Sequence, residues 1–413
     1  MGVVTPIGQT VAEFWLGLKQ GRSGVGPLDS FPQNEPHILL PSQIEGFDLK
    51  ILIAAQVKGF DPKARLKHFK RDKLILHADR YTLFAAAAAD EAVKQSGLAL
   101  PFEAPHRVAC IIGCAAGGVM NLEIGYRYLF ALKQPAIHPM TVLRTIGSSA
   151  AAHVGIECGI KGPIFATCSA CSSAAHAIAL GRDYICQGLI DIAIAGGAEA
   201  PHTYGAMRAW QATGMLSPDG IFPFARRRNG TVLGEGAGVL VLESIGHARS
   251  RGARMLAEVC GIGMTADSKT IVGGDIDGAR EAMRLALQDA ELAPSDIDYL
   301  NAHGAATIVG DRNETHAIKG AFGKHAYELP VSATKSMYGH PLGASGGIEA
   351  VVCIKAMEES WMPPTLGLDE ADPECDLDFV ANAGRSKKLS YTMSASLAFT
   401  GLNAALIFGQ APA

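Results

Sequence analysis

The sequence lacks three things whose absence narrows its role: a long uncharged apolar run, a dominant block of basic residues, and a disulfide-like arrangement of cysteines. No stretch stays apolar over the roughly 20 residues that a membrane-spanning helix needs. Nor does the start show a secretory leader with a positive end and an apolar core. The net charge of −4 leaves no electrostatic footprint for nucleic acid. One basic cluster exists, KARLKHFKRDK over 63–73. It reads first as a solvated helix face and second as a docking patch for an acidic partner. The nine cysteines are scattered without a framework, which favours a reducing compartment. A cytoplasmic location is expected.

Charged residues make up only 18% of the chain and hydrophobic ones 48%, a balance that excludes disorder and supplies a large core. The 47 glycines suit an α/β protein with tight turns and close helix–sheet packing. A length of 413 residues permits two fused domains. Gly113-Cys114-Ala115-Ala116-Gly117-Gly118 follows a strand-like run at 107–112, but no Lys-Ser or Lys-Thr follows to make a phosphate loop. Cys168-x-x-Cys171 matches a redox or half-zinc motif in form, with no second pair to complete a metal site. No metal is expected.

The stretch around which the chain is organised is FATCSACSSAAHAIALG, residues 165–181. An apolar run at 163–166 has the character of a buried strand. The segment from Ser172 to Leu180 is good helix-forming sequence, closed by Gly181. Cys171 stands at the joint. A thiol exposed at a helix N-terminus meets unpaired N–H groups that favour negative charge, so a lowered pKa and a nucleophilic thiolate are expected there. Taken alone, such a Cys is equally a buried small hydrophobe.

Other motifs decide the matter. Ala170-Cys171-Ser172-Ser173 followed by His176 resembles the nucleophile elbow of β-ketoacyl-acyl-carrier-protein (ACP) synthases, the condensing enzymes of the thiolase-like fold. Asn301-Ala302-His303-Gly304 and the run ATKS-x-x-GH-x-x-GA-x-G, which holds Lys335 and His340, resemble that family's other two active-site segments. Residues 222–238 resemble its RPFD…RDG…GEGAG segment, departing at Phe222, Ala225 and Asn229. Residues 396–403, SLAFTGLN, resemble its SFGFGGTN loop. The likeness spans nearly the whole chain. Among the family it is closest to type II elongating members, including a nodulation-type branch. SACSS-x-x-HAIA and Pro373-Glu374-Cys375-Asp376-Leu377-Asp378 carry that similarity.

The resemblance implies an α/β thiolase-like fold: two duplicated βαβαβαββ halves in a layered αβαβα arrangement. The order strand, small residues, helix recurs at 163–180 and 330–357, as a duplication requires. The halves are expected at 1–255, carrying the nucleophile, and 256–413, carrying two histidines and a lysine. In the family a strand precedes the opening helix, expected here at 11–19, and lies inside the sheet. Met1 falls where that strand would end, which suggests a start upstream. Residues 31–60 are expected as surface loops.

The chemistry implied is decarboxylative condensation. Cys171 carries an acyl chain as a thioester. His303 and His340, as neutral imidazoles, donate hydrogen bonds to the malonyl thioester oxygen as charge develops. Lys335 orients the site through acidic partners, for which Glu314 and Asp311 are the matched residues. Phe399 gates the nucleophile, and its N–H joins that of Cys171 in an oxyanion hole. Ala116 occupies a position that gates the acyl pocket, and Trp210 lies near its far end. The substrates, acyl-ACP and malonyl-ACP, ride on the carrier's phosphopantetheine, so no cofactor of the protein's own is implied. A homodimer is implied, and a heterodimer is the alternative.

Two departures bear on activity. The family's HGTGT or HGTST reads His303-Gly304-Ala305-Ala306-Thr307 here, so one hydroxyl used on the phosphopantetheine arm is missing while Thr307 remains. Leu397, Ala398, Thr400 and Leu402 replace residues of a glycine-rich loop, which should stiffen it or change its path. These departures leave a second reading open, a non-catalytic partner subunit of a heterodimeric ketosynthase. A third, a CxxC redox protein, predicts oxidation of Cys168 with Cys171.

Overall fold

The computed structural model describes residues 1–28, 50–66, 78–269 and 274–412. Residues 67–73 of the basic cluster and 31–49 of the expected loop region lie outside these.

The chain begins with strand β1 (Gly2–Val4) and the helix Val11–Lys19, after which β2 (Val25–Pro27) and β3 (Ile53–Ala55) form a hairpin. Part of the region expected as loop is therefore strand. Then come β4 (Val108–Gly113), β5 (Ile164–Phe165), β6 (Ile192–Glu199) and β7 (Gly236–Glu243). The remaining strands are β8 (Ala257–Ala266), β9 (Tyr299–Asn301), β10 (Val331–Ser332), β11 (Trp361–Met362), β12 (Arg385–Ser386), β13 (Tyr391–Leu397) and β14 (Leu402–Gln410).

Two five-stranded sheets result, ordered β5-β4-β6-β7-β1 and β10-β9-β13-β14-β8. In each, the first three strands are parallel and the last two antiparallel to their neighbours. The second sheet repeats the first in order and sense. β1 is an edge strand that pairs with β7 alone, Gly2 opposite Val239. The expectation of an interior strand ending at Met1 is thereby corrected: the strand follows Met1 and sits at the sheet edge.

Two helices, Ser173–Cys186 and Ser345–Glu359, pack against each other between the sheets. Every residue from Ser345 to Ile354 is buried, as befits a helix apolar all round. The outer faces are covered by amphipathic helices. Arg80–Ser96 lies on β1 and β7, and Ile276–Asp289 lies on β8 and β14. The latter buries Ala279, Ala282, Met283, Ala286 and Leu287, the spacing of one helical face. The result is the five-layered αβαβα arrangement of the thiolase-like fold.

β6 runs four residues beyond Ala195, through Gly196-Gly197 to Glu199. These glycines do not break the strand because they sit where neighbours leave no room for a side chain. A Cβ on Gly197 would lie 2.6 Å from the Ala174 Cβ and 2.7 Å from the Gly343 carbonyl. That close approach draws the nucleophile helix and the His340 loop onto one strand end.

Candidate active site

Cys171 lies on a short turn, Ala170–Ser172, that leads into the helix Ser173–Cys186. Ala170 takes a left-handed backbone, φ +51°, a conformation that costs a non-glycine residue about 1 kcal/mol or more. Hydroxyls hold the turn in place. Ser173 Oγ reaches the Ala170 carbonyl at 2.7 Å and accepts from the Ser169 N–H at 2.9 Å. Ser172 Oγ reaches the Leu402 carbonyl at 2.7 Å, tying the nucleophile to the second half of the chain.

The expected exposure of the thiol is not found. Cys171 is 5% exposed, and burial pushes its thiol up to about 11, against the pull of the Lys335 ammonium and the Phe399 N–H. Desolvation outweighs the helix N-terminus.

The two histidines come from corresponding places in the second sheet. His303 follows β9, and His340 lies beyond β10. His340 Nε2 is 3.1 Å from Cys171 Sγ, and the two imidazole rings meet edge to face with centroids 5.1 Å apart. One ligating atom from each of Cys171, His303 and His340 falls within 4.8 Å of the others. Burial, followed by the nearby Lys335 charge, holds both imidazoles well below their ordinary pKa, so both are neutral.

The contact with Lys335 selects the tautomer of His303. The Lys335 ammonium lies 3.4 Å from His303 Nδ1 and donates to the His303 carbonyl at 2.6 Å. Ser345 Oγ lies 3.2 Å from His340 Nδ1. An ammonium only donates, so the neutral His303 ring accepts on Nδ1 and carries its proton on Nε2, whereas the Ser345 hydroxyl can donate to His340 Nδ1 or accept from it.

The acidic partner of Lys335 is Glu349, not Glu314 or Asp311. Lys335 and Glu349 are in direct ion-pair contact, both fully enclosed. Glu314 instead accepts the N–H groups of His303 at 2.6 Å and Gly304 at 2.8 Å. Asp311 accepts those of Phe224 at 2.7 Å and Ala306 at 3.0 Å. Both carboxyls brace the backbone of the His303 loop, and burial raises them to about 8 and about 7. Neither Glu349 nor Ser345 was singled out by the sequence reading. The available signal was a single Glu within the otherwise uncharged run 345–354, which a buried lysine would require.

Phe399 sits in the hairpin between β13 and β14, and its N–H is near enough to the Cys171 sulfur to pull the thiol down. The altered residues of this loop cause no strain. Within 397–402 only Gly401 takes a positive φ, +76°, so Ala398 and Thr400 stand where any L residue fits. Thr307 caps the helix Ile308–Phe322 by accepting the Gly310 N–H, which commits part of its hydroxyl to structure.

A cavity of about 300 Å³ opens onto this constellation, lined among others by Cys171, Trp210, His303, Ala305, His340 and Phe399. Thr307 also lines it, whereas Ala116 does not and is exposed. Cys168 is exposed and unpaired, its thiol 3.6 Å from the Ala115 carbonyl, and Cys171 is likewise a free thiol.

Residues 1–248 match the family described as "Beta-ketoacyl synthase, N-terminal domain", and residues 256–369 match the C-terminal domain of the same family. The chain belongs to the β-ketoacyl synthase family. It is 40% identical over 411 residues to nodulation protein E of Rhizobium leguminosarum bv. trifolii, covering 99% of this chain and 98% of that one. It is 37% identical over 415 residues to 3-oxoacyl-[acyl-carrier-protein] synthase 2 of Staphylococcus aureus, covering 99% of both. Among solved structures it resembles the ishigamide ketosynthase/chain length factor, with a TM-score of 0.90, 31% identity, and coverage of 100% and 98%. It also resembles a type II polyketide ketosynthase solved with its acyl-carrier protein, with a TM-score of 0.86, 28% identity and the same coverage. The chain is thus an enzyme of the 3-oxoacyl-ACP synthase class. No helix of the described residues is long and apolar enough to cross a membrane.

Proposed function

We propose that this protein extends an acyl chain by decarboxylative Claisen condensation with malonyl-ACP, giving a β-ketoacyl-ACP. The observation that carries the reading is the Cys171–His340 contact of 3.1 Å, with His303 across the same space. The first half of the chain, 1–255, supplies the nucleophile, and the second, 256–413, supplies both histidines and Lys335.

In the first step Cys171 sulfur attacks the acyl-ACP thioester. The Sγ–acyl bond forms, the bond to the carrier sulfur breaks, and the thiol proton ends on the departing carrier. Malonyl-ACP then enters, and its carboxylate leaves as CO₂. The bonding electron pair passes into an enolate whose oxygen accepts N–H bonds from Nε2 of His303 and His340. The enolate carbon attacks the acyl group on Cys171. The oxyanion formed is held by the N–H groups of Cys171 and Phe399, and collapse expels the Cys171 thiolate. Lys335, neutralised by Glu349, keeps His303 a neutral donor.

This chemistry needs no resident cofactor or metal, since both substrates arrive on the phosphopantetheine of an acyl carrier protein. Trp210 and Thr307 line the space for the acyl or pantetheine group. We place the enzyme in the cytoplasm as a homodimer serving fatty-acid or specialised acyl-chain synthesis. A second reading, a non-catalytic subunit paired with another ketosynthase, draws on the Ala305 and 397–402 departures and on the likeness to a ketosynthase/chain length factor. The intact Cys-His-His geometry favours the enzyme.

The test is intact-protein mass after mixing with a panel of acyl-ACPs. An acyl adduct on the wild type that vanishes in Cys171→Ala supports the condensing enzyme. A folded protein that takes up no acyl group from any carrier turns the assignment to the partner subunit.

A further inference from the structure

Glu199 ends β6 with no exposed surface. Its Oε2 accepts the N–H of Ala115 at 2.7 Å and of Gly343 at 3.1 Å, and its Oε1 accepts that of Ala116 at 3.2 Å. Ala115 and Ala116 belong to the glycine-rich turn of the first half. Gly343 belongs to the second half, in the loop that joins His340 to the central helix Ser345–Glu359. Among the described residues no lysine, arginine or histidine pairs with this carboxylate. Its titratable neighbours are all acids: Asp79, itself buried and bonded to Asn121, and the neutral thiols of Cys114 and Cys171. A buried carboxylate without a cation is costly: burial raises Glu199 to about 7, against the pull of its three N–H bonds.

The contact it makes is demanding. A Cβ on Gly343 would lie 2.4 Å from the Ala115 nitrogen, so the two backbones touch directly. The preceding Leu342 takes a positive φ, +41°, and is buried against Cys171. The strained turn therefore lies between His340 and Ser345. His340 itself donates its N–H to the Val232 carbonyl at 2.8 Å and accepts the Gly234 N–H at 2.9 Å, and the Gly343 N–H bond to Glu199 adds a separate tie from the turn to the first half.

We infer that Glu199 is a positioning residue: it clasps the His340 loop to the glycine-rich turn and so fixes His340 against Cys171. The inference rests on the condensing role proposed above. A carboxylate suits the task because both oxygens only accept, whereas an amide turns one donor toward an N–H.

The experiment compares wild type, Glu199→Gln and Glu199→Asp in malonyl-ACP decarboxylation, in thermal unfolding and in the pH profile of Cys171 alkylation by iodoacetamide. Glu199→Gln is expected to lower kcat by about tenfold, the worth of one buried charge-assisted bond, with KM for malonyl-ACP unchanged and unfolding still cooperative. Its alkylation profile moves to lower pH because a negative charge beside the thiol is gone. Glu199→Asp keeps the charge and the wild-type alkylation profile while losing part of kcat. It also carries the test if the Gln variant does not fold.

A wild-type kcat in either folded variant overturns the inference. So does a kcat loss matched by an equal loss of folded protein. If the wild type itself takes up no acyl group, the condensing role fails. The alkylation profile then still decides whether Glu199 acts on the site, and an unshifted profile in Glu199→Gln overturns it.

Discussion

Lys335 and Glu349 form an ion pair with neither side chain exposed, and the same ammonium donates to the His303 carbonyl at 2.6 Å. The pair joins the loop after β10 to the central helix beneath both histidines. Enclosing two charges is rarely a gain in stability over apolar packing. Its use is electrostatic: an ammonium beside His303 Nδ1 opposes a proton there, and the carboxylate keeps that ammonium from standing alone.

Removing one member of this pair should be far worse than removing both. Glu349→Gln leaves an enclosed ammonium unmatched, which typically costs about 3–5 kcal/mol. Lys335→Met combined with Glu349→Leu is expected to recover most of that stability while leaving decarboxylation lost. Urea unfolding read beside CO₂ release from malonyl-ACP checks both halves. A double variant that decarboxylates at the wild-type rate would refute the electrostatic role.

The braced His303 loop predicts a pH dependence of stability. Burial raises Glu314 to about 8 and Asp311 to about 7, above their values in an unfolded chain. The native state then keeps protons that the unfolded state has released. The stability these two groups contribute is fully present below the ordinary carboxylate range and is lost as pH rises toward about 8. Glu314→Gln removes one such proton, so its unfolding free energy should fall less steeply over this range. The difference is at most about 1.4 kcal/mol per pH unit. Denaturant titrations across the range measure it, and parallel slopes would count against the protonated carboxyl.

Much of this arrangement was legible in the sequence. Small residues on both sides of Cys171 marked a tight strand-to-helix turn, and the segments around His303 and His340 marked two strand ends in repeated positions. Burial of the thiol was not legible, because Phe399, Leu342 and Ala398 close over it from the other half of the chain. Lys335 was matched to the acids nearest His303 in the sequence. Asp311 and Glu314 sit on one turn of a helix whose carboxyls meet backbone N–H groups first. Glu349, one helix further on, is the acid that faces the ammonium.

Ala305 offers a gain-of-function test. It lines the cavity, and the neighbouring Thr307 hydroxyl already accepts the Gly310 N–H, so only part of that hydroxyl is left to replace the missing one. Ala305→Thr should lower KM for the carrier-bound substrates by about fivefold, the worth of one hydrogen bond near 1 kcal/mol, with kcat little changed. Steady-state kinetics with acyl-ACP and malonyl-ACP give the answer. An unchanged KM would mean that the pantetheine arm takes another path through the cavity.

The gate loop makes the sharpest contrast between two neighbouring small residues. Gly401 has φ +76°, and a Cβ there would lie 2.7 Å from Asp267 Oδ2. Asp267 cannot yield readily, because its carboxylate accepts the Asp275 N–H and the Asn403 side chain, both at 2.6 Å. Gly401→Ala therefore costs about 1 kcal/mol in backbone strain alone, and relief must come from the hairpin that holds the Phe399 N–H against Cys171. Acylation of Cys171 should slow by about tenfold if that N–H is moved away from the reacting thioester oxygen. Ala398, at an ordinary φ, predicts the opposite: Ala398→Gly should acylate near the wild-type rate. Following the acyl adduct by intact mass separates the two. A Gly401→Ala variant that charges as fast as the wild type would show that the Phe399 N–H does not need the loop's present path.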